Sequence, residues 1–379
     1  MSRFALAPDR VLTPTGFESG RAVVVENGRI AAVPPREQLA GAEIVKLKGD
    51  LVPGFIDLQV NGGGGVLFND EPTVEGVAAI AEAHRRSGTT GLFPTLISDD
   101  LEVVARAVAA VEAAIAQGVP GVLGVHLEGP FLNAEKKGIH DASKFRVLDA
   151  AAIEILTSLR GGRTLVTVAP ELAPPGAIRA LVDRGAVVAA GHTAATYAQM
   201  QDAFAEGLSG FTHLYNAMTQ LGSREPGAVG AALDRTESWA GLIVDGSHVH
   251  PASLRVALAA KGESRLALVT DAMPTVGSER KWFTLNGRRI IAENGRCVAE
   301  DGTLAGSDLD MAQAVRNAVR MMGVDLPTAA RMASTVPAAI MGLSEVTGAI
   351  RPGLRADLTL LDKAGVVQET WIAGEASTG

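Results

Sequence analysis

The sequence predicts a (β/α)8 TIM barrel beside a small flanking β-sandwich domain that the N- and C-terminal segments form together. From residue 53 onward, apolar strand-like runs alternate with Ala-rich segments of helical period, which is the pattern of parallel βα units. Both ends of the chain are instead rich in short β-like runs. At 379 residues the chain exceeds one ordinary compact core, so two domains are expected.

Eight strand-like runs predict a closed barrel, and most of them precede a helical stretch. The runs are residues 54–60, 90–97, 122–127, 164–169, 186–190, 210–214, 240–244 and 265–270. The connection between 214 and 240 contains Gly and Pro and is expected to be a long loop without a clear helix. Residues 282–299 contain two β-like runs and are expected to form an inserted hairpin, and helical sequence resumes at 308.

The small domain is predicted from both ends of the chain. Residues 22–26 and 29–33 flank an Asn27-Gly28 turn signal, and the tail from 348 returns to β character. We therefore expect residues 1–52 and 345–379 to form one small β-domain and residues 53–344 to form the barrel.

Composition and charge exclude several classes of protein. Hydrophobic residues are 47% and charged residues 20%, as in ordinary globular proteins. The net charge of −8 without a basic stripe argues against nucleic-acid binding. No apolar run approaches the roughly 18 residues of a membrane span, and the start does not resemble a signal peptide, so a cytoplasmic protein is expected. Because Cys297 is the single cysteine, any metal must be bound by His and carboxylate side chains.

Polar residues stand where most of the predicted strands end, and a (β/α)8 barrel places its active site there. In chain order these residues are Gln59 and Asn61, Glu128, His192, His213, the segment 245–248, and Asp271. Most of them can bind a metal, move a proton or hold a substrate.

Glu128, His192 and His213 are the candidate metal ligands. One carboxylate and two neutral imidazoles hold one divalent ion and leave a position for water, whose pKa on zinc falls to about 7. A single histidine in such a core is more typically structural, but three groups at successive strand ends favour a metal site. We expect one ion per subunit, zinc by default, although iron, cobalt or manganese also suits these ligands.

Asp271 follows a strand that should be buried on both faces, so its carboxylate should point into the barrel mouth. A water activated by the metal would compensate this buried charge. Asp271 is then the candidate general base, and afterwards the acid that protonates a leaving nitrogen. The alternative is an aspartate that only caps the following loop.

Seven motifs resemble the N-acetylglucosamine-6-phosphate deacetylase family of the amidohydrolase superfamily. In family order they are PGFIDLQVNGGGG, HLEGPFLNAEKKGIH, AAGHTAA, FTHLYNAM, REPG, DGSHV and LVTDAMP. The resemblance implies hydrolysis of N-acetylglucosamine 6-phosphate to glucosamine 6-phosphate and acetate, in amino-sugar catabolism and cell-wall amino-sugar recycling, by a homodimer with a flanking β-domain.

Carried over by motif, the resemblance assigns the same metal ligands and the same role to Asp271. His140, which ends KKGIH, would polarise the acetyl carbonyl, and the alternative is an ordinary loop histidine. The positions expected to bind the sugar phosphate are Ile139, Asn216, Ala217, Arg224, His248, Leu304, Ala305 and Gly306. The family implies that His248 reaches the site of the neighbouring subunit, and the guanidinium of Arg224 suits a phosphate, although an isolated arginine is typically a surface residue.

One departure from many amidohydrolases lies at the end of the first strand, where Gln59-Val60-Asn61 replaces His-x-His. Amides are poor ligands, so these two residues are expected to be the remnant of a second metal site. Strand four also ends without the lysine that binuclear relatives carbamylate as a bridge, which likewise favours one ion. Glu171 at that strand end is at most a weak extra ligand. Two rival functions remain at this point: an amidohydrolase acting on a cyclic amide or an N-acyl amino acid, and a catalytically silent barrel that senses amino-sugar phosphate.

Overall fold

The computed structural model describes residues 3–39 and 43–377. The parts of the predicted small domain at 1–2, 40–42 and 378–379 lie outside the described residues. Seven strands come first, and they all belong to sheets that flank the barrel. They are β1 (Arg3–Ala7), β2 (Arg10–Thr13), β3 (Gly16–Ser19), β4 (Val23–Glu26), β5 (Arg29–Ala32), β6 (Glu43–Lys46) and β7 (Asp50–Pro53).

The barrel is a parallel sheet of eight strands that are neighbours in chain order. A short hairpin of β9 (Gly62–Gly63) and β10 (Val66–Leu67) follows its first strand. The barrel strands are β8 (Phe55–Val60), β11 (Thr89–Ile97), β12 (Gly124–Glu128), β13 (Arg163–Val168), β14 (Val187–Ala190), β15 (Gly210–Phe211), β16 (Trp239–Ile243) and β17 (Leu266–Val269).

The ring closes between its last and first strands. The backbone N–H of Asp271 donates to the carbonyl of Gln59 at 3.0 Å, and that of Asn61 donates to Ala272 at 2.9 Å. These bonds lie just beyond β17 and at the end of β8, so closure brings the two most distant parts of the barrel sequence together. The predicted barrel is confirmed, with each strand within about three residues of its expected bounds.

Helices surround the barrel and pack their apolar faces onto it. They are α1 (Val74–Arg85), α2 (Leu101–Ala116), α3 (Ala150–Leu156), α4 (Ala177–Asp183), α5 (Tyr197–Glu206), α6 (Gly227–Asp234), α7 (Pro251–Lys261), α8 (Met311–Asn317), α9 (Leu326–Met332) and α10 (Thr335–Ile340). A π-helical turn, Ala318–Met322, continues α8. In the part of the chain that the structure describes, no helix is both long and apolar enough to span a membrane.

One expectation about a connection was wrong, and the expected β insertion is confirmed but larger than a hairpin. The segment between 214 and 240 contains α6. Residues 227–232 of this helix are all buried, so its Gly- and Ala-rich sequence has no polar face that would indicate a helix. The insertion is a sheet of four strands: β18 (Trp282–Leu285), β19 (Arg288–Glu293), β20 (Arg296–Ala299) and β21 (Leu304–Ser307). The sequence LAGS of β21 lacks the β-branched and aromatic residues that indicate a strand.

Both ends of the chain form the flanking sheets, as predicted. The last strands are β22 (Leu358–Leu361), β23 (Val367–Ile372) and β24 (Glu375–Ala376). One sheet has the order β5-β4-β1-β6 and the other β24-β23-β22-β7-β2-β3. They enclose a separate apolar core that includes Leu6, Val11, Leu51 and Trp371. The division of the chain after residues 52 and 344 stays a prediction.

Candidate metal centre and active site

Two of the candidate metal ligands and the candidate base have a left-handed backbone. The φ angles of His192, His213 and Asp271 are 48°, 32° and 52°. Non-glycine residues rarely adopt this conformation, which costs roughly 1–3 kcal/mol and concentrates at functional sites. Each residue lies two positions beyond the end of a barrel strand, and the tight turn directs its side chain into the barrel mouth.

Glu128, His192 and His213 converge on one point. The Oε1 atom of Glu128 lies 3.2 Å from His192 Nε2 and 2.9 Å from His213 Nε2. The two Nε2 atoms are 3.0 Å apart, and all three side chains are buried. Ligand atoms around one tetrahedral ion with bonds of about 2.0–2.2 Å lie about 3.3–3.6 Å apart, so these three atoms could share one ion after a small outward shift.

The hydrogen bond behind His192 shows that its Nε2 can serve as a ligand atom. Its Nδ1 lies 2.8 Å from the carbonyl oxygen of Lys136, which can only accept a hydrogen bond. Nδ1 therefore carries the ring proton, and the Nε2 lone pair of the neutral ring points at the cluster. The residues present fit a divalent ion.

The charge of Glu128 is maintained by the same histidines. Burial by itself would raise the pKa of Glu128, but its close contacts with the His192 and His213 rings hold it well below its usual range. A carboxylate that stays ionised at neutral pH is the form that binds a cation.

Asp271 lies beside this cluster and is held by the two amides of the first strand. Asn61 Nδ2 donates to its Oδ1 at 2.6 Å, and Gln59 Nε2 donates to the same atom at 3.1 Å. Gln59 Nε2 is also 3.1 Å from Glu128 Oε2. Burial, and then the charge of Glu128, raises the pKa of Asp271. A base with a raised pKa is better matched to proton transfer near neutral pH.

His140 joins the cluster from the loop after β12. Its ring centroid is 4.4 Å from that of His192, and its Nδ1 is 2.8 Å from Ser98 Oγ. Burial, and then the neighbouring His192, lowers the pKa of His140 to about 3, so the ring is neutral. Ligand atoms of Glu128, His140 and His192 also lie within 4.8 Å of one another, so distance alone permits a second choice of three ligands.

A cavity of about 490 Å³ opens above these residues. It is lined by most of the residues that the sequence singled out. These are Asn61, Glu128, Ile139, His140, His192, His213, Asn216, Ala217, His248, Asp271, Leu304 and Gly306. Metal ligands, candidate base and most candidate substrate contacts therefore share one space.

Three predicted residues lie outside the lining of this cavity. Gln59 lies behind Glu128 and Asp271 and reaches both through its amide. Ala305 packs into the core of the inserted sheet, because residues alternate between faces along a strand and its neighbours Leu304 and Gly306 take the cavity side. Arg224 is exposed on the loop before α6.

His248 lies in the cavity of its own chain, whereas the family resemblance implies that it serves a neighbouring subunit. Its Nδ1 is 2.6 Å from Asp245 Oδ2, and its side chain is 5% exposed. Asp245 also accepts hydrogen bonds from the backbone N–H groups of Ser247 and His248. This turn fixes the imidazole at the cavity wall.

Sequence reasoning missed several residues that line the cavity, including Lys136, Thr303 and Met273. Lys136 stands four residues before His140 in the motif KKGIH, and a basic residue beside a candidate catalytic histidine was an available signal. Thr303 belongs to the inserted sheet, and nothing in its sequence neighbourhood indicates a position over the barrel mouth.

A parallel barrel with a buried Glu-His-His cluster and an adjacent carboxylate defines the class of protein: a metal-dependent amidohydrolase. Residues 51–376 match the Amidohydrolase family. The chain is 44% identical to N-acetylgalactosamine-6-phosphate deacetylase of Shewanella sp. (strain ANA-3), over 86% of this chain and 83% of that protein.

Two solved structures carry the comparison further. The crystal structure of N-acetylglucosamine-6-phosphate deacetylase from Pasteurella multocida has a TM-score of 0.95 and 34% identity and covers 100% of both chains. A mutant N-acetyl-D-glucosamine-6-phosphate deacetylase from Mycobacterium smegmatis, solved with N-acetyl-D-glucosamine-6-phosphate, has a TM-score of 0.90 and 33% identity and covers 99% of both chains. The chain therefore belongs to the amidohydrolase family and, within it, to the deacetylases of N-acetyl-amino-sugar 6-phosphates, which confirms the resemblance in its motifs.

Proposed function

We propose that this protein hydrolyses N-acetylglucosamine 6-phosphate to glucosamine 6-phosphate and acetate in amino-sugar catabolism and cell-wall amino-sugar recycling. The observation that carries the proposal is the convergence of Glu128, His192, His213 and Asp271 at one end of a cavity that Asn216 and His248 also line. Both the amide-splitting groups and the candidate phosphate contacts are then within reach of one small molecule.

Glu128, His192 and His213 would hold one divalent ion, for which zinc is our first choice and iron, cobalt or manganese the alternatives. When bound, such an ion polarises a carbonyl group and lowers the pKa of water. Gln59 and Asn61 hold Asp271 through their amides, which supports a single ion at this site.

Asp271 accepts the proton of the attacking water while the water oxygen bonds to the acetyl carbon. His140 donates a hydrogen bond to the carbonyl oxygen, where negative charge develops. The C–N bond then breaks, and Asp271 returns the proton to the departing sugar nitrogen; the second proton of the water leaves the acetic acid for solvent, which gives acetate and a free amine. Contacts at the distant phosphate hold the acetyl group in place for this attack.

The phosphate contacts we propose are Asn216, Ala217, Arg224 and His248, in a homodimer. Because His248 lines its own cavity and Arg224 is exposed on its loop, Arg224 is the better placed of the two to reach a neighbouring subunit. A phosphorylated substrate is consistent with a cytoplasmic enzyme, and we propose that location.

N-acetylgalactosamine 6-phosphate is the second candidate substrate. The relative from Shewanella, at 44% identity, is named for that sugar. The two sugars share the acetamide and the 6-phosphate and differ only at the 4-hydroxyl group, so the same catalytic groups would serve both.

The test is acetate release by the metal-loaded protein from both sugar phosphates and from unphosphorylated N-acetylglucosamine. We expect kcat/KM to be highest for N-acetylglucosamine 6-phosphate, to fall at least 100-fold without the phosphate, and to be lost on chelation and recovered on adding zinc back.

Other outcomes would favour the alternatives. A higher kcat/KM for the galactosamine derivative would reverse the order of the two sugars. Equal rates with and without phosphate would favour a different amide, for which a cyclic amide and an N-acetyl amino acid are the comparison substrates. Tight binding of the sugar phosphate without acetate release would indicate a sensor.

A further inference from the structure

His140 has two possible uses in this site, and they exclude each other. A neutral imidazole carries its proton on only one nitrogen. With the proton on Nε2, the ring can donate a hydrogen bond into the cavity, whereas a bare Nε2 could bind the metal. Because distances alone permit Glu128, His140 and His192 as ligands, the position of this proton decides the role of His140.

The partner of Nδ1 determines where the proton lies. The backbone N–H of Ser98 donates to His140 Nδ1 at 3.3 Å, and the Ser98 hydroxyl lies 2.8 Å from the same atom. A backbone N–H can only donate, so Nδ1 must be the acceptor. The hydroxyl then also donates to Nδ1, and the ring proton is on Nε2.

Ser98 is rigidly placed for this contact. It directly follows β11 and is buried. The side chain of Asn69 holds the preceding residue, Ile97, through both its backbone N–H and its carbonyl, each at 3.0 Å. The donor pair of Ser98 therefore faces His140 from a fixed turn.

His192 has the opposite arrangement. Its Nδ1 faces the carbonyl of Lys136, an obligatory acceptor, so its proton is on Nδ1 and its Nε2 is bare. Two adjacent rings are thus given opposite tautomers by their backbone partners, one suited to binding a metal and the other to donating a hydrogen bond.

We propose that Ser98 is a positioning residue that fixes the Nε2-protonated form of His140, and so makes His140 a hydrogen-bond donor to the substrate carbonyl and excludes it from the metal ligands. The donor role rests on the proposed function, whereas the tautomer and the ligand set do not.

The first test is the tautomer itself. The protein has seven histidines, so nitrogen NMR of the zinc-loaded protein labelled with ¹⁵N-histidine is tractable, with His140→Gln identifying the signal. We expect a protonated Nε2 and a bare Nδ1 at His140. A proton on Nδ1 would overturn the proposal whether or not the protein releases acetate.

The second test removes the hydroxyl. Ser98→Ala leaves only the longer backbone N–H contact, at 3.3 Å, to hold Nδ1 as an acceptor, so it should produce a mixture of His140 tautomers and lower kcat about 10-fold at unchanged KM, and Ser98→Thr should restore both. Ser143→Ala, in the same loop as His140 but bonded elsewhere, is the control. Unchanged tautomers and kcat in Ser98→Ala would refute the role of the hydroxyl.

The third test concerns the ligands. His140→Gln should still bind one zinc per chain with its affinity unchanged within a few fold, by competition with a chelator. Loss of zinc from this variant would show that His140 is a ligand and would overturn the assignment.

Discussion

Asp271 is the residue on which the proposed chemistry depends most. Asp271→Asn keeps the shape of the side chain but cannot accept the proton of water, so kcat should fall by roughly 10³-fold or more. The metal content should stay intact because Glu128, His192 and His213 remain. Turnover and bound metal are measured on the same preparation, and a near-normal rate would contradict the role.

Asp57 offers a prediction about stability. It is buried below Gln59 in β8 and accepts hydrogen bonds from the hydroxyl and N–H of Thr270 and from the N–H of Gln59. Burial, only partly offset by those bonds, raises its pKa to about 7. The folded protein therefore binds more protons than the unfolded chain between about pH 4 and 7, and stability is lost as pH rises through that window.

Asp57→Asn should remove this loss, because the amide stays neutral. Thermal unfolding at about pH 5 and pH 8 is the measurement. Relative to the wild type, the variant should gain roughly 1–3 kcal/mol of stability at the higher pH. If the variant's gain in stability over the wild type is no larger at about pH 8 than at about pH 5, the raised pKa of Asp57 is contradicted.

At the scale of elements, the turn after β13 supports the turn after β14. Glu171 accepts hydrogen bonds from the hydroxyl of Thr193, at 2.5 Å, and from the N–H of Ala194, at 2.7 Å. It also accepts one from Asn133, whose own N–H donates to the carbonyl of His192. With its oxygens engaged in this way, Glu171 acts as a support of the His192 loop, not as the weak extra ligand that the sequence left open.

Glu171→Gln should therefore weaken metal binding without touching the ion. An amide offers one acceptor oxygen where three donors converge, so the His192 turn should loosen. We expect metal affinity to fall about 10- to 100-fold, measured by chelator competition. Asp202→Asn is the matched control, because Asp202 is exposed and lines the same surface groove as Glu171. Equal affinities in the two variants would disprove the support.

For the whole molecule, the flanking sheets hold the two ends of the chain against the barrel. β7 pairs with β2 and β22, and its end at Pro53 is one residue from the first barrel strand. Strands from both termini thus anchor β8, which carries Gln59 and leads directly into Asn61. The second core, around Trp371, stabilises the molecule at a distance from the chemistry.

Trp371→Ala should lower the free energy of unfolding by about 3–5 kcal/mol, because its side chain is 3% exposed and truncation leaves a cavity. The matched control is Trp282→Ala, since Trp282 is 40% exposed and its loss should have a small effect. Denaturant unfolding gives the comparison, and kcat per folded molecule should be unchanged in both. Equal destabilisation by the two substitutions would argue against a structural second core.

The sequence by itself determined the barrel and the group of polar residues at its mouth. Alternating strand and helix patterns lead to parallel strands, and parallel strands bring their carboxyl ends together. Glu128, His192, His213 and Asp271 could therefore be grouped before any coordinates, although they are far apart in the chain. The flanking domain was also predictable, because strand patterns at both termini have few other partners.

Only the tertiary structure decided how these groups are used. Three contacts between loops are encoded by no local sequence pattern. They join Ser98 to His140, Lys136 to His192, and Glu171 to the His192 loop. The same holds for β21, whose Leu304 and Gly306 face the cavity while Ala305 does not. The reason is physical: a residue type shows what a side chain can donate, accept or bind, whereas its tautomer, charge and direction depend on the atoms that folding places against it.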